Sequence, residues 1–228
     1  MCFSPEADLA VGTIALAVGV DALRHVHNSR QIPFAALPLL LGLHQLTEAF
    51  VWWGLQGHVA HSVERAALWV YLLFALAALP PYLTVAVGLV ERSPVRRKII
   101  WVYTAVAVAV GAVLAGAMLG GHIGATIDGH HIAYDVDSLH YGGRLTAVYV
   151  VATCGALLAS SYRDLELLGA LNLVAVPVLA YLTMNGLISL WCFWAAIVSV
   201  VFALHLRRHK RAVTIGPGRP VVPAVHSP

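Results

Sequence analysis

The chain is poor in charge. Of its 228 residues only 11% are Asp, Glu, Lys or Arg, against about 25% in an ordinary soluble domain. Lysine is confined to Lys98 and Lys210, so no apolar run holds the lysine that a retinal Schiff base needs. The three cysteines, Cys2, Cys154 and Cys192, are too few and too scattered for a disulfide scaffold or a CxxC metal site. Only Cys2 and Cys192 fall toward the same expected side of the membrane, and spacing alone does not bring them together. There is no GxSxG nucleophile elbow and no P-loop. The opening MCFSPEADL lacks the basic n-region and the small-residue cleavage site of a removable signal peptide, so the first apolar run is expected to stay.

What is present is hydrocarbon. Apolar residues make up 60% of the chain, in runs of about 20, the length that crosses a bilayer as a helix. Seven such runs are expected: Pro5 to Leu23, Ile32 to Leu55, Val63 to Val90, Val95 to Leu119, Gly143 to Ser161, Leu165 to Met184 and Leu187 to Leu206. The expected fold is an all-α polytopic bundle of seven transmembrane helices over residues 1–211. The tail 212–228, ending GPGRPVVPAVHSP, is too rich in Pro and Gly to pack and is expected to be disordered.

Positive charge sets the expected orientation, because retained cytoplasmic loops carry the excess of Lys and Arg. Arg24, Arg30, Arg92, Arg96, Arg97, Lys98 and Arg163 fall on one side, as does the basic run Arg207 to Arg211. The other side has Arg65 and Arg144. The N-terminus is therefore expected outside and the C-terminus inside, in a multi-pass protein of the plasma membrane. This bias accounts for the net charge of +3 without nucleic acid, and the lipid bilayer is a sufficient partner.

The most informative stretch is LGLHQLTEAFVWWG, residues 41–54. It places His44, Gln45 and Glu48 near the middle of a span, where ionisable residues usually face the bundle interior and mark a functional site. Spacing of i, i+4 stacks His44, Glu48 and Trp52 on one face, with Gln45 beside them. In span seven Ser189 and Cys192 lie at a similar depth, and Asn185 marks the turn before it. If spans one, two, six and seven are neighbours, these groups form an outward-opening polar pocket for a small ligand or ion. The bland alternative is a set of interhelical hydrogen bonds that fixes packing.

The longest break, residues 120–142, reads GGHIGATIDGHHIAYDVDSLHYG. It is dense in His and Asp, and His130 and His140 are weak metal candidates alongside His44, Glu48 and Cys192. The spacing matches no closed metal site, so a polar connector or a lid over the pocket is expected. At the inner face Asp21, His25, His205 and His209 loosely imitate a zinc site, but the surrounding Arg and Lys oppose a divalent cation. Pro80 and Pro81 are expected to kink span three. Gly116 and Gly120 stand at GxxxG spacing, which permits close helix approach.

Five segments together carry a family resemblance: MCFSPEADL, VGVDALRHV, LGLHQLTEAFVWWGL, YVVATCGALLASSYR and SLWCFWAAIVSV. In these the chain resembles a bacterial, mainly actinobacterial, family of multispan membrane proteins that begin MCFS, a domain of unknown function. The resemblance implies a membrane bundle and supplies neither reaction nor cofactor. The residues lead to ligand or ion binding in a sensor or transporter-like role. A membrane-embedded metal-dependent enzyme and a structural or partner-binding subunit are the alternatives.

Overall fold

The computed structural model describes residues 4–136, 142–183 and 186–215, and each expected span is helical within them. Helix α1 (Pro5–Arg24) is followed by a 3₁₀ turn at Ser29–Gln31, the short α2 (Ile32–Ala35) and α3 (Leu37–Leu55). The third rod is α4 (His61–Leu72), a π-helical segment Leu73–Ala78 and α5 (Leu79–Val90). Then come α6 (Pro94–Gly120), α7 (Gly142–Leu158), α8 (Arg163–Leu182) and α9 (Leu187–Ile215). Helix α9 thus runs on to Ile215, and residues 216–228 of the expected tail lie outside the described residues.

Five of the rods, Ser29–Leu55, His61–Val90, Pro94–Gly120, Arg163–Leu182 and Leu187–His205, are long and apolar enough to cross a membrane. Helix α1 falls short because Glu6, Asp8, Asp21 and Arg24 sit within its 20 residues, and α7 because it has only 17.

The segment after α6, expected as a polar connector or a lid, contains two strands within the mostly helical chain. Strands β1 (Ile123–Asp128) and β2 (His131–Val136) form an antiparallel hairpin, with Ile123 opposite Val136, Ala125 opposite Tyr134 and Ile127 opposite Ile132. Side chains alternate between the faces of a strand, so this register collects the apolar residues on one side. The two-residue turn has Gly129 at φ +60° as its first central residue, the conformation a type II′ turn reserves for glycine. Ile123, Ile132 and Val136 are buried against Val51, Trp52, Tyr71, Leu72, Met118 and Cys192. The hairpin is therefore seated on the end of the bundle. It is tied there by His131 Nε2, 3.2 Å from Thr183 Oγ1.

Helices α1, α3 and α9 are mutual neighbours, and α8 packs on α7 and α9. The tightest approach is α1 on α3. A Cβ on Gly12 would stand 2.9 Å from the Gly42 carbonyl oxygen, and one on Gly19 would stand 2.3 Å from the Leu39 amide nitrogen. Asp8, Gly12, Ala15 and Gly19 form a single buried stripe on α1, spaced four, three and four as one helix face requires. The GxxxG pair expected at Gly116 and Gly120 does not make such a contact, since a Cβ at either would meet nothing within 4 Å.

The expected kink in span three takes the form of a π segment just ahead of Pro80. The Leu79 amide donates to the Phe74 carbonyl, five residues back. In that register the Ala75 carbonyl would look to residue 80, a proline with no N–H. The Tyr149 hydroxyl of α7 donates to it instead, at 2.8 Å. A packing side chain thus closes the carbonyl that the proline leaves open.

Candidate functional site

The stripe on α1 and the His44–Glu48 face of α3 meet beneath the hairpin. Gln45 Nε2 donates to Asp8 Oδ1 at 3.0 Å and reaches Glu48 Oε2 at 3.4 Å. The Tyr134 hydroxyl, brought down by β2, donates to Glu48 Oε1 at 3.1 Å. His44 lies flat on Tyr71, with ring centroids 4.0 Å apart and planes at 9°, and Tyr71 in turn stacks on Tyr134 at 4.9 Å. Ser189 of α9 faces Glu48, and Cys192 one turn further on faces Tyr71 and Glu48.

The cluster is sealed. Gln45 and Glu48 are fully buried, Asp8 is 2% exposed and His44 4%. Yet its hydrogen bonding is incomplete. Asp8 Oδ2, His44 Nε2, Gln45 Oε1, Trp52 Nε1 and Tyr71 Oη are buried with no hydrogen-bond partner. The Trp52 indole is directed at Asp8 and the Tyr71 hydroxyl at Glu48, but neither closes to bonding geometry. Among the described residues no ion pair involves Asp8 or Glu48. Unsatisfied buried polar atoms are rare in native proteins and each one calls for a reason; of the six such side-chain atoms among the described residues, all but Trp194 Nε1 belong to this cluster.

A second buried carboxylate shows what a structural one looks like. Glu91, just past the end of α5, is 3% exposed. It accepts hydrogen bonds from the Ser93 amide at 2.8 Å, the Ser161 amide at 2.7 Å, the Ser160 hydroxyl at 3.0 Å and the Ser161 hydroxyl. Burial alone pushes its pKa up, but these donors together outweigh burial and hold the group down at about 2. Every lone pair of Glu91 has a donor to face, whereas Asp8 Oδ2 has none.

Of the residues expected in the pocket, His44, Gln45, Glu48, Trp52, Ser189 and Cys192 are gathered in this region. Asn185 lies outside the described residues, as do Cys2 and His140. His130 is exposed in the hairpin turn, away from the buried cluster. Among the described residues no three His, Cys, Asp or Glu side chains stand close enough together to hold a metal ion. Asp8, Tyr71 and Tyr134, which the sequence reading did not single out, complete the constellation. Asp8 was concealed by its place in the first turn of α1, where an acidic residue is the ordinary complement of the helix dipole.

The expectation of one outward-opening polar pocket is corrected by the packing. The hairpin fills the space above Glu48. The large interhelical cavity, of about 1150 Å³, lies on the other side of Cys192 and is walled mainly by Leu, Val and aromatic residues. Among the described residues of the expected pocket, Cys192 is the one that lines it. Polar cluster and open space are thus two features rather than one.

No curated protein and no solved structure matches the chain. Residues 1–216 match a family model described as a family of unknown function. By this match across nearly its whole length, the chain belongs to the family of unknown function DUF6629.

Proposed function

We propose that this protein is a multi-pass plasma-membrane protein that binds a small monovalent cation, a proton or an alkali ion, at the Asp8–Gln45–Glu48 cluster. Its role is sensor-like or transporter-like. The observation that carries the reading is the pair of buried carboxyl groups joined by one amide, with unpartnered oxygens on Asp8, Gln45 and Tyr71 around them.

Leaving two bare carboxylates in a dry interior is costly unless opposite charge accompanies them. No Arg or Lys does so among the described residues. A proton or a hard cation balances the charge, and oxygen donors suit an alkali ion better than the softer metals. In this reading the chain has seven spans with the arginine-rich end in the cytoplasm, and the cluster, under the hairpin, lies toward the outer face. Passage to it then requires the hairpin to move, since Tyr134 closes on Glu48 from above.

Thermal unfolding of detergent-purified protein tests the reading. Sodium and pH are varied for the wild type and for Asp8→Asn with Glu48→Gln, which keep shape and remove charge. An ion at about 100 times its Kd stabilises the folded state by about 2.7 kcal/mol. With pH kept above about 5, where Glu91 no longer contributes a pH dependence, the wild type is expected to respond to one of the two variables by several degrees and the double variant to neither. Equal responses in both proteins, or none in the wild type, would sink the proposal.

A further inference from the structure

We propose that the cavity behind Cys192 binds a single-chain acidic amphiphile, with its hydrocarbon tail inside and its acid group at Arg92. The inference is independent of the cation reading.

The half-open space of about 1150 Å³ between the helices is larger than the roughly 300–1000 Å³ typical of small-molecule sites, which leaves room for a long hydrocarbon chain. Leu41, Leu76, Leu165, Leu168, Trp191 and Phe202 are among its walls. The polar groups that reach it at depth are already engaged with backbone. Tyr149 donates to the Ala75 carbonyl, Thr153 to the Tyr149 carbonyl, Asn172 to the Leu168 carbonyl and Ser199 to the Ala196 carbonyl. The three hydroxyl donors are thus taken and Asn172 keeps a single amide N–H, so the mainly apolar interior suits a hydrocarbon chain.

One end of the cavity has a polar rim that includes Asp21, His25, Gln31, Arg92, Tyr162 and Asp164. His25, Gln31 and Arg92 are exposed there. The rim carboxylates have cationic or neutral histidine neighbours, Asp21 with His25 at 3.7 Å and Asp164 with His205 at 4.0 Å. Arg92 differs. Its guanidinium lies 5.5 Å from the centre of the Tyr162 ring, and it pairs with no carboxylate among the described residues. The preceding Glu91 is taken up by serines 93, 160 and 161. An arginine over an aromatic face, at the mouth of an apolar chamber, complements an acid head group on a hydrocarbon tail.

The ligand is either a free fatty acid or an acidic one-tailed membrane lipid, which share this chemistry. The test is a titration of the protein, in nanodiscs of phosphatidylcholine, with the fluorescent fatty acid cis-parinaric acid, followed by competition with palmitate and with hexadecanol. Binding is expected to saturate, with palmitate displacing the probe about tenfold better than hexadecanol, the size of one charge-assisted contact. Arg92→Gln should abolish that preference and leave hexadecanol unchanged. Ala195→Trp and Leu168→Phe, two separate ways of filling the void, should each weaken both competitors by about tenfold or more.

Mass spectrometry of what copurifies distinguishes the sources. A fatty acid or a one-tailed acidic lipid supports the proposal, and a stoichiometric two-tailed lipid overturns it. It is equally overturned by probe binding no greater than in empty nanodiscs, by equal displacement by acid and alcohol, or by full binding in a folded cavity-filling variant.

Discussion

The Gln45 side-chain amide stands between two carboxyl groups from different helices, 3.0 Å from Asp8 Oδ1 and 3.4 Å from Glu48 Oε2. One neutral side chain therefore links α1 to α3 at the most polar point of an apolar bundle. Gln45→Leu keeps the approximate volume and deletes the link. It should cost about 2 to 4 kcal/mol, because removing one partner of a buried polar network leaves the others unpaired. Asp8→Asn, which retains an acceptor for the same amide, should cost less than half as much. Unfolding of both variants in detergent measures the difference, and a Gln45→Leu protein as stable as the wild type would show that the amide does not hold the cluster.

That link exists only because α1 lies flush on α3. Gly19→Ala should destabilise by about 1 to 3 kcal/mol, the usual cost of forcing extra volume into a packed site, since its Cβ would meet the Leu39 backbone at 2.3 Å. Gly116→Ala is the control. No atom lies within 4 Å of a Cβ there, so the substitution should be neutral, or stabilising by about 0.5 to 1 kcal/mol through helix propensity. If the two glycines respond alike, the close packing of α1 and α3 is not what Gly19 provides.

Glu91 predicts a pH dependence. Its folded-state pKa of about 2 lies below the ordinary 4.5, so the folded protein binds this proton less tightly than the unfolded chain does. The resulting stability is complete above about pH 4.5 and is lost as pH falls toward 2. A shift of this size corresponds to about 3 kcal/mol at neutral pH. Glu91→Gln should lose that much at neutral pH and show a flatter decline between these limits. Melting curves across the acid range check it, and parallel curves for the two proteins would rule out Glu91 as a source of the slope.

How much of this was legible in the sequence depended on which physical signal a residue carried. His44, Gln45, Glu48 and Trp52 were readable because i, i+4 spacing inside one apolar run fixes a shared face whatever the tertiary fold. Asp8 was not, because its significance depends on Gly12 and Gly19 bringing α1 against α3, a contact between separate spans. The hairpin was readable in principle. Ile123, Ala125 and Ile127 alternate with polar or small residues, as do Ile132, Tyr134 and Val136, around a Gly-His turn. The density of His and Asp drew attention to metal chemistry and away from that period of two. The apolar cavity had no local signature at all, since a void is a property of how α8 and α9 stand against the remaining helices.

The hairpin joins these levels, because a local turn presents one hydroxyl to a buried carboxyl group. Two substitutions separate its own folding from its contact with the bundle. Gly129→Val places a β-branched residue at φ +60°, a conformation that only glycine adopts readily, and should loosen the turn by about 1 to 2 kcal/mol. Hydrogen exchange in Ile123–Val136 should then quicken while the helices stay protected. Tyr134→Phe leaves the turn and its apolar face intact but removes the donor to Glu48 Oε1. It should lower the stability of the whole bundle by about 1 to 3 kcal/mol, since a buried acceptor loses its partner. Faster exchange should then extend to α3 as well as the strands. If Tyr134→Phe exchanges like the wild type in α3, the hairpin covers the cluster without being coupled to it.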